Sequence, residues 1–162
     1  MLYMLRHKLW SARDRFTIDT ESGPAFQLVG KVFSWGDDLS MQDMHGNEVA
    51  RVEQKVLSMR PTYRLLRDGE EYARIIKEWS WFKKKFTLDV PGPNDYFITG
   101  SFWDHEFVFE REASVVARVS RDLWQLDDVY GVQIDEGEDD VAILATVVVI
   151  DLICDDEEHR SM

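Results

Sequence analysis

Residues able to do chemistry are sparse in this chain. Their densest group is Trp79-Ser80-Trp81-Phe82-Lys83-Lys84-Lys85-Phe86, where two tryptophans and two phenylalanines surround three consecutive lysines. Indole rings settle at the headgroup level of a bilayer, and each lysine near an anionic surface gains about 1 kcal/mol. With Arg74 and Lys77 just upstream, the candidate set for anionic-lipid binding is Arg74, Lys77, Trp79, Trp81, Lys83, Lys84 and Lys85. The same residues also read as an edge strand, whose lysines discourage pairing with another chain while the aromatics enter the core.

No other group reaches the level of a motif. GxSxG, GxGxxG, GxxxxGK, HExxH and the EF-hand loop are all absent. His7, His45, His105 and His159 are widely spaced, and the best donor cluster for a metal is Asp104-His105-Glu106. On a strand, alternate side chains face opposite ways, so His105 would point away from both carboxylates and chelation is not expected. The acidic pairs Asp37-Asp38, Asp127-Asp128 and Asp139-Asp140 fall where turns or a helix start are expected, where carboxylates serve local hydrogen bonding. The sequence therefore offers no catalytic residue, no cofactor-binding residue and no metal ligand. The single Cys154 lies in an apolar run and excludes a disulfide framework or a CxxC pair, which fits a reducing, cytoplasmic setting. The first residues lack a leader's apolar region and cleavage site, so export is not expected.

Charge is divided unevenly. Residues 1–121 carry 18 Lys and Arg against 18 Asp and Glu, whereas residues 122–162 carry one basic residue against 13 acidic ones. A net charge of −12 argues against binding nucleic acid, while the neutral body leaves room for a local basic patch facing an anionic lipid.

These side chains need a scaffold, and an internal repeat outlines it. Phe16-Thr17-Ile18-Asp19 returns as Phe86-Thr87-Leu88-Asp89, and Phe26-Gln27-Leu28-Val29-Gly30 as Tyr96-Phe97-Ile98-Thr99-Gly100, both 70 residues later. Val49-Ala50-Arg51-Val52 returns as Val116-Ala117-Arg118-Val119, and Pro61-Thr62-Tyr63 aligns with Asp128-Val129-Tyr130, both at an offset of 67. Four matches in one order mark two equivalent halves, about 16–66 and 86–134, within one domain over residues 1–162. Apolar and polar positions alternate along each match with the period of a half-buried strand. Asp68-Gly69 has the chemistry of a tight hairpin turn, and His45-Gly46-Asn47 does the same less cleanly. Ten to twelve short strands result. A chain of this length buries roughly 70% of its unfolded surface, enough for one core.

Residues 139–154 break the pattern. Their β-branched content suits a strand, but they are too long for one and apolar on every side, and Glu138, Asp139 and Asp140 at their start cap a helix and favour its positive end. A helix apolar all round must be enclosed by other structure. The apolar run from Val141 to Cys154 is 14 residues long and interrupted by Asp151, short of the roughly 20 needed to cross a bilayer.

Two β-rich repeats followed by one enclosed helix resemble the LURP-one-related family, which belongs with phospholipid scramblases and the tubby C-terminal domain. The residues carrying the resemblance are Phe16-Thr17-Ile18-Asp19, Gly30-Lys31-Val32-Phe33-Ser34, Leu39 to Asn47, Val49-Ala50-Arg51-Val52 with Gln54-Lys55, Tyr72-Ala73-Arg74-Ile75, and Val141 to Asp151. The resemblance implies a mainly β fold: a closed antiparallel barrel of about twelve strands, built from two repeats and enclosing the hydrophobic C-terminal helix. It also implies a kinship with phosphoinositide binding through basic wall residues. The expectation is a cytoplasmic, non-enzymatic binding or scaffold domain with no cofactor, peripheral to the membrane and engaging anionic phospholipid or a protein partner of unknown kind. The alternatives are an enzyme or small-ligand carrier using a barrel cavity, and a scramblase-related lipid function.

Overall fold

The computed structural model describes residues 1–6, 15–31, 36–55, 57–78, 85–124 and 128–161. Among them the chain forms twelve strands, a 3-10 turn at Arg121–Leu123 and one α-helix. The first six strands are β1 (Leu2–Arg6), β2 (Arg15–Thr20), β3 (Gly23–Lys31), β4 (Asp38–Asp43), β5 (Glu48–Lys55) and β6 (Thr62–Arg67). The second six are β7 (Glu70–Glu78), β8 (Lys85–Asp89), β9 (Tyr96–Ser101), β10 (Glu106–Arg111), β11 (Ser114–Ser120) and β12 (Val129–Ile134), and α1 (Asp140–Ser161) follows. Each strand pairs antiparallel with its sequence neighbours, and β12 closes on β1 with Tyr3 opposite Val132, so the sheet is a closed barrel without an edge.

The repeated segments occupy equivalent strands in the two sextets, β2 with β8, β3 with β9, β5 with β11 and β6 with β12. Their inward residues correspond: Ile18 and Leu88, Leu28 and Ile98, Val52 and Val119, and Leu65 and Val132 are all fully buried. Irregularities correspond as well. The register of β4 on β5 slips after Met41 pairs Ala50, and that of β10 on β11 slips after Phe109 pairs Ala117. Gly30 and Gly100 are equivalent because both lie under the next strand. A Cβ on Gly30 would sit 2.3 Å from the Asp38 carbonyl oxygen, and one on Gly100 would sit 2.5 Å from that of Glu106. At the β6–β7 hairpin, Asp68 and Gly69 both take positive φ, 54° and 80°, as the tight turn requires.

The barrel interior is filled by α1. Residues 142–150 are essentially inaccessible, and they form one core with the inward residues of the strands. Val, Ile and Thr run through this helix because enclosure on all sides outweighs their modest propensity cost. The only hydroxyl in the run, on Thr146, donates to the Ala142 carbonyl oxygen at 2.7 Å. The helix does not stop at Cys154, where the apolar pattern ends. It continues to Ser161, 22 residues and about 33 Å in all, since a helix leaving a barrel needs no apolar face in its last turns.

Candidate functional site

The barrel has two unlike mouths. At one, where α1 begins, β2–β3, β4–β5, β6–β7, β8–β9, β10–β11 and β12–α1 are joined by connections of two to six residues. By sequence these connections hold eight Asp or Glu and no Lys or Arg. Of these, Asp95 accepts the Val90 N–H at 3.1 Å, and Asp43, which ends β4 at the same rim, is held in a similar way. Asp43 accepts the backbone N–H groups of His45 and Asn47 at 2.9 and 3.0 Å, and the hydrogen bonds from Asn47 hold its carboxyl below the usual range.

The N-terminal end of α1 is moored at this acidic mouth by tyrosines and arginines. Tyr3 donates to Asp140 at 2.6 Å, Tyr96 donates to Glu138 at 2.8 Å, and Arg111 reaches the second Glu138 oxygen at 2.5 Å. Arg67 lies 3.4 Å from Asp139 and stacks 4.2 Å above the Tyr72 ring. Burial, assisted by Glu138, pushes the Tyr96 hydroxyl up to about 12. Burial also works to raise Glu138, but hydrogen bonds from Arg111 and Tyr96 outweigh it and its carboxyl titrates low. A depressed carboxyl contributes stability above its unfolded value, about 4.3, and that contribution is lost as pH falls through the folded value. Arg111→Leu is therefore expected to melt earlier than the parent at neutral pH, with the gap closing as pH falls through the carboxylate range. A gap independent of pH in melting curves would show that the Arg111–Glu138 pair contributes nothing.

The other mouth has longer connections, β1–β2, β3–β4, β5–β6, β7–β8, β9–β10 and β11–β12. By sequence they contain all six tryptophans of the chain, Trp10, Trp35, Trp79, Trp81, Trp103 and Trp124, and six Lys or Arg against six Asp or Glu. Of the described residues here, Trp103 is exposed, and Trp124 donates its indole N–H to the Tyr3 carbonyl oxygen at 3.2 Å. Leu57 and Met59, between β5 and β6, are each 93% exposed.

Beneath this aromatic mouth lies a buried polar cluster. Asp151, on α1, meets His105 Nε2 at 2.8 Å through one carboxylate oxygen and accepts from the Tyr130 hydroxyl at 2.5 Å through the other. The imidazole stacks on the Tyr130 ring with centroids 4.2 Å apart. Burial first, then Asp151, drives the Tyr130 hydroxyl far above its ordinary value, so it stays a donor. His105 is 5% and Tyr130 1% exposed, and Asp151, with an oxygen engaged by each, keeps only 13% of its side chain accessible. Its work is to lock the lower half of α1 to β12 and the β9–β10 turn. Tyr63, the counterpart of Tyr130 in the repeat, also donates to a buried carboxylate, that of Asp37 at 2.6 Å, which lies in the β3–β4 connection and not on α1.

The expected lipid-binding residues are separated by the structure. Arg74 lies mid-strand, ion-paired to Glu71 and opposite Asp89, whereas Lys85 lies opposite Glu78 at the aromatic mouth, about 13 Å along β7. Lys77 shares the inner side of β7 with Ala73 and Ile75 and is ion-paired to Glu157 of α1. Lys85 is exposed at the start of β8. Trp79, Trp81, Lys83 and Lys84 lie outside the described residues. The donor cluster Asp104-His105-Glu106 disperses: Asp104 accepts from Ser101, Glu106 accepts from Ser120 and the Arg121 N–H, and His105 turns inward. The reason is local, because Asp104 and His105 sit in a turn where His105 takes φ of 54°, and only Glu106 belongs to a strand. Among the described residues no group of three or more His, Cys, Asp or Glu converges as a metal site requires.

Sequence reading passed over Asp151 and the Leu57–Met59 loop. The signal for the first was present: a carboxylate in an enclosed helix must find donors. The exposure of Leu57 and Met59 carried no such signal, since isolated apolar residues in connections are common.

Residues 1–151 match the family model described as LURP-one-related. The chain is 30% identical over 159 residues to the uncharacterized protein YxjI of Bacillus subtilis (strain 168), covering 98% of this chain and 96% of that one. Its fold is similar to the crystal structure of an Arabidopsis thaliana protein, with a TM-score of 0.62 and 18% identity over 92% of this chain and 88% of the other. No helix among the described residues is long and apolar enough to cross a membrane.

Proposed function

We propose, for a chain that belongs to the LURP-one-related family, a non-enzymatic binding domain that attaches peripherally to anionic membrane surfaces through its aromatic mouth. The observation that carries this reading is the distribution of side chains between the mouths: by sequence, the connections at one mouth hold every tryptophan and six Lys or Arg against six Asp or Glu, with Asp155, Asp156, Glu157 and Glu158 following where α1 leaves, whereas the connections at the other hold eight carboxylates and no base. A negatively charged bilayer repels the acidic mouth, which has no base, more than the opposite one, whose lysines and arginines it attracts among carboxylates, while indole rings favour the headgroup layer. The two effects orient the molecule the same way. The filled barrel interior and the enclosure of the His105–Asp151–Tyr130 cluster support a binding surface over a reaction chamber. The corresponding location is the cytoplasmic leaflet, where anionic lipids concentrate.

Lys77 and Arg74, each held by a carboxylate, contribute less than Lys83, Lys84 and Lys85 in this reading. Replacing those three lysines by Gln is expected to weaken co-sedimentation with phosphatidylserine-containing vesicles about a hundredfold at low salt, at about 1 kcal/mol per charge. Undiminished binding by the triple variant, or none by the parent, removes the proposal.

A further inference from the structure

We infer that the loop between β5 and β6 is a membrane-inserting element, with Leu57 and Met59 entering the acyl layer beneath the headgroups. The inference rests on the orientation proposed above and adds to it an apolar contact, which charge attraction does not supply.

Leu57 and Met59 are large apolar side chains, each 93% exposed and separated by one residue. They are presented by a braced loop. The Ser58 hydroxyl lies 3.1 Å from the Lys55 carbonyl oxygen and 2.6 Å from that of Arg60, and the Thr62 hydroxyl donates to the same Arg60 oxygen at 2.9 Å. The Pro61 carbonyl oxygen accepts the Lys77 N–H at 3.0 Å, and the Arg60 guanidinium is ion-paired to Glu78. A loop fixed by its own hydrogen bonds loses little entropy when its tip is buried in a partner, so the two side chains are preorganised for contact.

The chemistry around the tip identifies the partner. Lys55, exposed at the end of β5, flanks the tip and places a cation where lipid phosphates would lie once the tip is immersed, while Arg60 on the other side is already engaged by Glu78. Trp103 is exposed at the same mouth on the β9–β10 turn, four strand positions around the barrel, so the apolar groups lie apart on one rim. A rim of separated apolar tips among cations matches a fluid layer that fills in around each of them. A second copy of the chain is a poorer fit, because two side chains offer on the order of a few hundred Å², well below the roughly 800 Å² per partner of a stable interface.

The test uses the full chain and vesicles of three parts phosphatidylcholine to one part phosphatidylserine at near-physiological salt. Leu57→Ser/Met59→Ser is expected to bind at least about tenfold more weakly while melting like the parent, since burial of even part of two such side chains exceeds that free energy. A polarity-sensitive dye on Leu57→Cys should shift to the blue on adding vesicles, Cys154 being buried and slow to label. Unchanged binding by the double variant, together with loss in the lysine variant, overturns insertion and leaves the electrostatic reading standing. Absence of binding by the parent overturns both. Concentration-dependent dimerisation of the parent that the double variant loses, with vesicle binding intact, assigns the loop to a second copy and also overturns insertion.

Discussion

Val148→Asp is expected to yield a chain with no cooperative thermal transition, recovered mainly in insoluble form. Val148 is completely inaccessible, in the middle of the stretch of α1 that the barrel encloses. It belongs to one core with the Leu, Ile and Val side chains of the helix and the inward residues of the strands, and the hydroxyl of Thr146, two residues before it, already donates to its own helix. An aspartate there must be buried as an ion or carry a proton without an acceptor, and either costs several kcal/mol. A domain of this size has roughly 5–15 kcal/mol to lose. Val148→Ala, which only empties space, is the control and should fold with a stability lower by about 1–3 kcal/mol and a correspondingly lower melting temperature. Circular dichroism during heating distinguishes the two outcomes. A soluble Val148→Asp protein melting within a few degrees of the parent would mean that the barrel is not closed around the helix.

The enclosure of that helix was legible because it rests on a quantity present in the sequence, apolar residues on every side over more than three turns. Its end was not. The apolar pattern stops at Cys154, but hydrogen bonding continues to Ser161, because once outside the barrel the helix needs only its backbone bonds and solvent. The strands were legible for a similar reason. Ile18, Leu28, Val52 and Leu65 repeat as Leu88, Ile98, Val119 and Val132, and all eight face inward. What local pattern could not supply was the partner of each polar side chain. His105 was read within a strand between two carboxylates, but a left-handed turn residue carries it inward to Asp151, 46 positions away. Arg74 and Lys77 looked like members of one cluster because they are three residues apart. They project to opposite sides of β7, and each meets a carboxylate. Which rim a connection joins follows from topology, so it is only when the strands are numbered that all six tryptophans are seen to belong to connections of the same mouth.

The second large effect concerns Asp151, where the polar and apolar halves of the helix argument meet. Asp151→Leu is expected to destabilise the protein by about 2–4 kcal/mol, although leucine suits an enclosed helix better than aspartate does. The cost arises on the partners. Tyr130 is fully buried, and without the carboxylate its hydroxyl loses the acceptor it meets at 2.5 Å, while His105 loses the oxygen at 2.8 Å. Leaving a buried donor unsatisfied costs more than the net value of the hydrogen bond it made. Tyr130→Phe in the parent should cost about 1.5–3 kcal/mol, by loss of one bond to a carboxylate that keeps its other partner. Introduced together with Asp151→Leu, the same substitution should restore part of the stability, because it removes the stranded hydroxyl instead of creating a fault. The double-mutant cycle, measured by denaturant unfolding, is therefore expected to show a coupling of about 1–3 kcal/mol between two side chains in direct contact. Asp151→Asn should fall between parent and Asp151→Leu, since an amide can still accept from Tyr130 and donate to a neutral imidazole. Strict additivity of Tyr130→Phe and Asp151→Leu would contradict the arrangement, leaving Asp151 as a solvated break in the helix with no hold on the barrel wall.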